Sequence, residues 1–274
     1  MTPGDVDEVL AIARDAAKII MRVYATPFAV DYKGVNDPVT TADREANELI
    51  CTRLAQAFPG VPIVAEESDP STFGAAFGAA EAWFVDPLDG TREFVAKNGE
   101  FCVMIGLASA GRAAMGVVVC PALGRDFSGV VGRASYEIAA DGSRRVLRVS
   151  DVASMKDARV VVSRSHRPAS LDAALATLSP RVVTPTGSSG IKAALVAAGE
   201  ADVYLQPGIA GKRWDACAPE AIVRAAGGVF TNIRGAFFDY ANGELENASG
   251  LLATTPRLFA AAWEPFQSGD PSRE

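Results

Sequence analysis

Two carboxylates close an apolar run in Trp83-Phe84-Val85-Asp86-Pro87-Leu88-Asp89-Gly90-Thr91-Arg92-Glu93-Phe94. Trp83 to Val85 reads as a buried strand, and it ends on Asp86 rather than on another hydrophobe. Pro87 lacks a backbone donor and has a fixed φ, which predicts that the strand ladder stops there. Asp89 follows three residues after Asp86, and Gly90-Thr91 turns the chain again. Two acids so spaced can converge on one point. Left unpaired, they would raise the free energy by on the order of several kcal/mol through repulsion and desolvation, unless a cation sits between them.

Other acids stand at similar transitions. Asp43 opens a helix after Val39-Thr40-Thr41-Ala42, Glu66-Glu67 closes the apolar run Val61 to Ala65, and Asp215 sits in Lys212-Arg213-Trp214-Asp215-Ala216-Cys217-Ala218-Pro219. Helix capping alone would explain Asp43 or Asp215; it does not explain the repetition. Oxygen ligands from several segments, with no histidine or cysteine beside them, suit a hard divalent cation, Mg²⁺ above all. In such sites a water held by the cation can serve as nucleophile, and two ions can brace the attacking and leaving oxygens of a phosphoryl transfer.

The elements that must carry these residues follow from periodicity. Val9, Leu10, Ala13 and Ile20 predict an amphipathic helix over 6–24, and Ala46, Leu49, Ile50, Leu54 and Ala57 a second over 44–58, with a Gly/Asn/Pro loop over 32–43 between them. A short strand is expected over 61–65 and a mobile loop with a short helix over 69–82. Strands over 100–109, 113–120, 126–131, 135–140 and 145–149 predict an antiparallel or mixed sheet. From there strands (158–163, 181–184, 201–205, 229–233) alternate with helices (170–178, 189–198, 215–226), the pattern of βαβ units. The expectation is an α+β half over 1–152 carrying most of the metal ligands. An α/β half over 153–267 then carries Asp215 and the substrate contacts, and a frayed tail occupies 268–274.

Composition narrows the partners. The 274 residues are 49% hydrophobic and 22% charged, in the range of a globular protein. No apolar run approaches the ~20 residues that span a bilayer, and the acidic start of the chain does not read as a secretion signal. Cys51, Cys102, Cys120 and Cys217 have no CxxC spacing, which predicts buried thiols in a reducing compartment, with the cytoplasm as default. A net charge of −7 argues against a nucleic-acid partner. The sequence lacks GxSxG, Walker A and Cys/His signatures, so a serine hydrolase, P-loop NTPase or cysteine enzyme is not indicated.

Asp86-Pro87-Leu88-Asp89-Gly90-Thr91 and Trp214-Asp215-Ala216-Cys217-Ala218-Pro219-Glu220…Ala226-Gly227-Gly228 resemble the two signatures of the inositol monophosphatase superfamily, and the segments at Asp43 and Glu66 match its other metal-site segments in the family's order. Leu88, Thr91-Arg92-Glu93-Phe94 and Ser163-Arg164-Ser165-His166 look more like the 3'(2'),5'-bisphosphate nucleotidase branch. The resemblance implies a layered αβαβα sugar-phosphatase-type fold. It also implies two or three Mg²⁺ ions on Glu66, Asp86, the Leu88 carbonyl, Asp89 and Asp215. Thr91, with Asp43 behind it, would orient and help deprotonate the attacking water. Gly90 and Thr91, at a helix start, would favour a phosphate. Gly187-Ser188-Ser189-Gly190, with Lys192 one turn on, offers a second anion site, although alone it reads as an ordinary turn. Ser163 and His166, the single histidine, would lie on the adenine side; without the resemblance His166 reads as a half-exposed loop residue. The implied activity is a Li⁺-sensitive phosphomonoesterase acting on a small phosphate ester such as adenosine 3',5'-bisphosphate, as a monomer or homodimer. The alternative is an inositol or sugar phosphatase of the same fold.

Overall fold

The computed structural model describes residues 2–34 and 37–267. Helix α1 (Pro3–Tyr24) starts from a capping box in which Thr2 and Asp5 exchange hydrogen bonds, and its buried stripe is Val9, Ile12, Ala13, Ala16 and Ile20. The stretch read as a loop holds a small antiparallel hairpin, β1 (Asp31–Gly34) with β2 (Asp37–Val39); residues 35 and 36 of that stretch lie outside the described residues. Helix α2 (Thr41–Ala57) then packs along α1.

Strand β3 (Ile63–Ala65) pairs in parallel with β4 (Glu81–Asp89), and the connection between them is ordered as a 3₁₀ helix, Pro70–Ala76. A short helix, α3 (Thr91–Val95), leads into an antiparallel meander of β5 (Cys102–Ser109), β6 (Arg112–Cys120), β7 (Arg125–Val130), β8 (Ser135–Ile138) and β9 (Arg144–Val146). Together they form a sheet ordered β3 through β9.

The second half contains β10 (Arg159–Ser163), α4 (Ala169–Leu178), β11 (Val182–Thr186), α5 (Ser189–Ala197), β12 (Val203–Gln206), α6 (Trp214–Ala225), β13 (Val229–Thr231), β14 (Leu251–Thr254) and α7 (Phe259–Trp263). Its sheet is ordered β11-β10-β12-β14-β13. The first three strands are parallel, as βαβ alternation predicts, whereas β14 runs antiparallel to both neighbours. Neither β14 nor α7 was expected; the tail from 268 onward lies outside the described residues.

Strand alternation explains the layering. Trp83, Val85, Val103, Ile105 and Val117 face α1 and α2, while Phe84, Met104 and Val118 face the opposite way, onto α5 and α6. The second sheet divides similarly: Val161, Tyr204 and Leu251 point toward α5 and α6, and Val160, Val162, Leu205 and Leu252 toward α4 and α7. The order is helix, sheet, helix, sheet, helix, the αβαβα arrangement.

The middle helix layer sits unusually close to the first sheet. Gly106, Gly116 and Gly129 lie opposite one another on β5, β6 and β7. A Cβ on Gly116 would come 2.3 Å from the Ala218 oxygen, and one on Gly106 2.6 Å from the Ala218 nitrogen. Helix α6, which carries Asp215 in its first turn, therefore rests on strand backbone.

Candidate active site

Parallel pairing of β3 and β4 sets Ala65 beside Val85, so Glu66, just past β3, and Asp86, next along β4, emerge side by side, and the Glu66 N–H donates to the Val85 carbonyl at 3.1 Å. Asp86 and Asp89, an odd number of residues apart, would point to opposite faces of a regular strand. The strand is not regular. Asp86 is opposite Met104 and Asp89 opposite Cys102, a register shift that places one extra residue in β4. The ladder thus bulges at Pro87-Leu88 and resumes at Asp89; it does not stop at Pro87. Carboxylate oxygens of Asp86, Asp89 and Asp215 come within 4.8 Å of one another.

Each acid is held from outside the cluster. Asp86 accepts the Leu88 N–H at 2.9 Å. Asp89 accepts from the Ser188 hydroxyl and from the Gly190 N–H at 2.9 Å, while the Cys102 thiol lies 3.7 Å away. Asp215 accepts the Lys212 N–H at 2.7 Å. Gly211 has φ +69°, and a Cβ there would stand 2.5 Å from the Asp215 carboxylate, so the chain can wrap this closely only at a glycine. Buried Arg213 braces the same loop through Asn247 Oδ1 and, at 3.1 Å, the Asp239 carbonyl, and Asn247 returns bonds to the carbonyls of Ala210 (3.0 Å) and Lys212 (2.6 Å).

Burial, followed by the charges of Glu66, Asp89 and Asp215, pushes the Asp86 carboxyl well above the carboxylate range; burial, then Asp89 and Glu66, does the same to Asp215. Groups so placed can ionise together only around positive charge. The donor set is oxygen alone, which fits a hard divalent cation.

Asp43 lies behind this cluster, buried at 2% exposure. Its Oδ2 accepts the Thr40 N–H (2.8 Å) and Thr40 hydroxyl (2.7 Å), closing a capping box on α2. Its Oδ1 accepts from Thr91 Oγ1 at 3.1 Å, and Thr91 Oγ1 also lies 3.2 Å from the Leu88 carbonyl. Capping and contact with Thr91 thus use different oxygens of one carboxylate. Burial, with Glu67 contributing, raises the Asp43 pKa against the lowering effect of its hydrogen bonds. Gly90 caps α3 in the left-handed region at φ 94°.

These groups open onto a cavity of about 470 Å³. Glu66, Asp86, Leu88, Asp89, Thr91 and Asp215 form one end, with Gly90 beside them; Ser163, His166, Ser188, Ser189 and Lys192 are also on its wall. Asp43 and Gly187 are not. The Gly187 N–H donates to Glu100 Oε2 at 2.6 Å, and Glu100 is further held by Arg164 at 2.7 Å. Buried Lys192 donates to the carbonyls of Thr186 and Ser188, and desolvation lowers its pKa. The Ser163 hydroxyl accepts the His166 N–H at 3.0 Å, shaping the turn that carries the imidazole to the rim. Crowding by protein atoms, then the Arg92 charge, depresses the His166 pKa.

Sequence reasoning did not single out Tyr204, Gln206, Ile209 or Trp214, which share the wall. For Gln206 a signal existed: it closes the apolar run Val203-Tyr204-Leu205, as Asp86 closes the apolar run Trp83-Phe84-Val85, but it carries no charge. Arg92 and Glu93 are on the wall as well, and Glu93 accepts from the Ser165 hydroxyl.

The inositol monophosphatase family model matches residues 5–265. The chain is 38% identical over 236 residues to the 3'(2'),5'-bisphosphate nucleotidase CysQ of Escherichia coli K12, which covers 85% of this chain and 93% of that protein. Among solved structures it resembles the extragenic suppressor protein SuhB from Bartonella henselae (TM-score 0.84, 25% identity, 97% of this chain and 100% of that one). It also resembles CysQ from Bacteroides thetaiotaomicron, a bacterial member of the inositol monophosphatase family (TM-score 0.76, 28% identity, 92% and 97%). With the acidic cluster, the fold and these relatives in agreement, the chain belongs to the inositol monophosphatase family and is a phosphatase of that family.

Proposed function

We propose that this protein is a Mg²⁺-dependent phosphomonoesterase that removes the 3'-phosphate of adenosine 3',5'-bisphosphate, leaving AMP. The carrying observation is the convergence of Asp86, Asp89 and Asp215 within 4.8 Å, beside a Thr91 hydroxyl backed by Asp43. Glu66, Asp86, the Leu88 carbonyl, Asp89 and Asp215 would hold the cations, two or three in number. Bound Mg²⁺ supplies charge neutralisation at the phosphoryl oxygens and acidifies water. Thr91 Oγ1 donates to Asp43 Oδ1 and offers its lone pairs to a water at the cavity end, holding that water for attack on phosphorus. Asp43, already carrying a raised pKa, is placed to take a proton through the Thr91 hydroxyl. The water oxygen forms the new P–O bond as its proton passes toward Asp43, the bond to the ribose 3' oxygen breaks, and that oxygen takes a proton from solvent water and leaves as the hydroxyl. Lys192, Ser188 and Ser189 line the path of the sugar-phosphate portion, with Ser163 and His166 beyond, and Gly187 sets the entry to α5 through Glu100.

The test is phosphate release from a panel of esters with Mg²⁺, with and without Li⁺. Release from adenosine 3',5'-bisphosphate, suppressed by Li⁺, is the expected result. Release from inositol 1-phosphate but not from the nucleotide would replace this reading with that of an inositol or sugar phosphatase. Mg²⁺ binding with no turnover on any ester would indicate a binding protein.

A further inference from the structure

Gln206 ends β12 on the cavity wall with only 5% of its surface exposed. Its Nε2 faces the His166 carbonyl at 3.5 Å, and because that carbonyl can only accept, the amide is oriented with Oε1 turned away from it. Oε1 has no hydrogen-bond partner among the described residues. A buried amide oxygen on a cavity wall is an acceptor awaiting a donor.

A second feature stands nearby in the chain. Ile209 lines the same cavity yet is 63% exposed, an apolar side chain at the mouth of a polar pocket. An acceptor alone would fit a hydroxyl or an amine. An acceptor accompanied by an exposed aliphatic surface fits a donor carried on a flat apolar ring.

Resting on the nucleotide reading above, we infer that Gln206 is a specificity-determining residue that accepts a hydrogen bond from the exocyclic amine of the substrate's purine, with Ile209 covering a face of the ring. A 6-oxo purine would set a carbonyl against Oε1. Turning the amide to meet it would bring Oε1 against the His166 carbonyl instead, so the oxo base is disfavoured either way.

The experiment compares kcat/KM for the 3',5'-bisphosphates of adenosine, inosine and 2'-deoxyadenosine in the wild type, Gln206→Leu, Gln206→Glu and Ile209→Ala. The wild type is expected to prefer adenosine over inosine by about tenfold or more, with little loss for the 2'-deoxy compound. Gln206→Leu should bring the adenosine-to-inosine ratio near one, and Gln206→Glu, which keeps an acceptor, should preserve it. Ile209→Ala should raise KM for both bases with kcat little changed. A mere packing role for Gln206 would lower every substrate alike and leave the ratio intact, which overturns the inference. So does a wild type that hydrolyses both bases equally, or one that discriminates against the 2'-deoxy compound instead. A wild type inactive on adenosine 3',5'-bisphosphate overturns the nucleotide reading itself, a distinct result.

Discussion

Asp43 divides its two oxygens between Thr91, whose hydroxyl lies 3.1 Å from Oδ1, and the cap of α2, where Oδ2 accepts from Thr40 at 2.8 and 2.7 Å. One carboxylate therefore ties the start of a helix to the cavity end where chemistry is proposed. Asp43→Asn retains one acceptor oxygen and the shape of the side chain but removes the base. Turnover is expected to fall by roughly 10² to 10⁴, while Mg²⁺ binding by calorimetry stays near the wild-type value and stability drops by no more than about 1 kcal/mol. Near-normal turnover would remove Asp43 from the mechanism.

The acidic cluster predicts a pH-dependent response to metal removal. The Asp86 and Asp215 carboxyls are raised in the folded chain above the ordinary 3.8. From 3.8 up to those raised values, the folded protein holds more protons than the unfolded one, so this contribution to stability falls as pH rises through the window. A cation that takes the place of those protons should cancel the loss. The melting temperature gained from Mg²⁺ over chelator is therefore expected to be larger at pH 8 than at pH 5. An equal gain at both would mean that the cluster does not hold the cation.

The Ser188 hydroxyl donates to Asp89, accepts the Ile191 N–H at the start of α5, and lies 3.2 Å from the Cys102 thiol. Ser188→Ala removes all of these contacts. The lost cap should destabilise by about 1 kcal/mol, and Mg²⁺ affinity should weaken by roughly 10- to 100-fold, the range seen when a ligand's outer hydrogen bond is deleted. Direct metal titration separates the two effects.

Asn247 lies in a late irregular segment yet joins Arg213 to the carbonyls of Ala210 and Lys212, next to Asp215. Asn247→Ala takes the side-chain acceptor from buried Arg213 and the amide donor from the Ala210 carbonyl, while the Lys212 carbonyl keeps the Asp215 N–H and Arg213 keeps the Glu246 carbonyl at 3.3 Å. A loss of roughly 1 to 3 kcal/mol is expected in denaturant melts. Mg²⁺ affinity should fall with it, because the loop that orients Asp215 is no longer braced. Unchanged metal binding would show that α6 alone positions that carboxylate.

Much of this was legible in the residues. The apolar run Trp83-Phe84-Val85 and the βαβ pattern after residue 158 reflect local physics and mark strands and helices, whereas the layered αβαβα order was legible only through the family resemblance. The acids were visible because a charge at the end of an apolar strand contradicts its neighbours. How Asp86 and Asp89 converge was not, since a proline after a strand is compatible with both a stop and a bulge, and the partner strand decides. Strand β14 escaped because its partners, β12 and β13, are supplied by the folded sheet and its own signal is only the short stretch Leu251-Leu252-Ala253-Thr254. Gln206 left only the weak signal of an uncharged polar residue closing an apolar strand, and Ile209 and the Arg213–Asn247 pair depend on contacts between distant segments that no local pattern encodes.

The glycine row under α6 makes the spacing of the carboxylates a property of main-chain contact. Side chains elsewhere in the core can drift in size over evolutionary time, and the helix will keep its height above the strands. One methyl group at residue 106 or 116 would act as a shim, lifting the first turn of α6 and moving Asp215 off Asp86 and Asp89. The tolerance of this enzyme to sequence change should therefore be uneven: permissive across its aliphatic layers, and strict along a three-residue seam that touches no substrate at all.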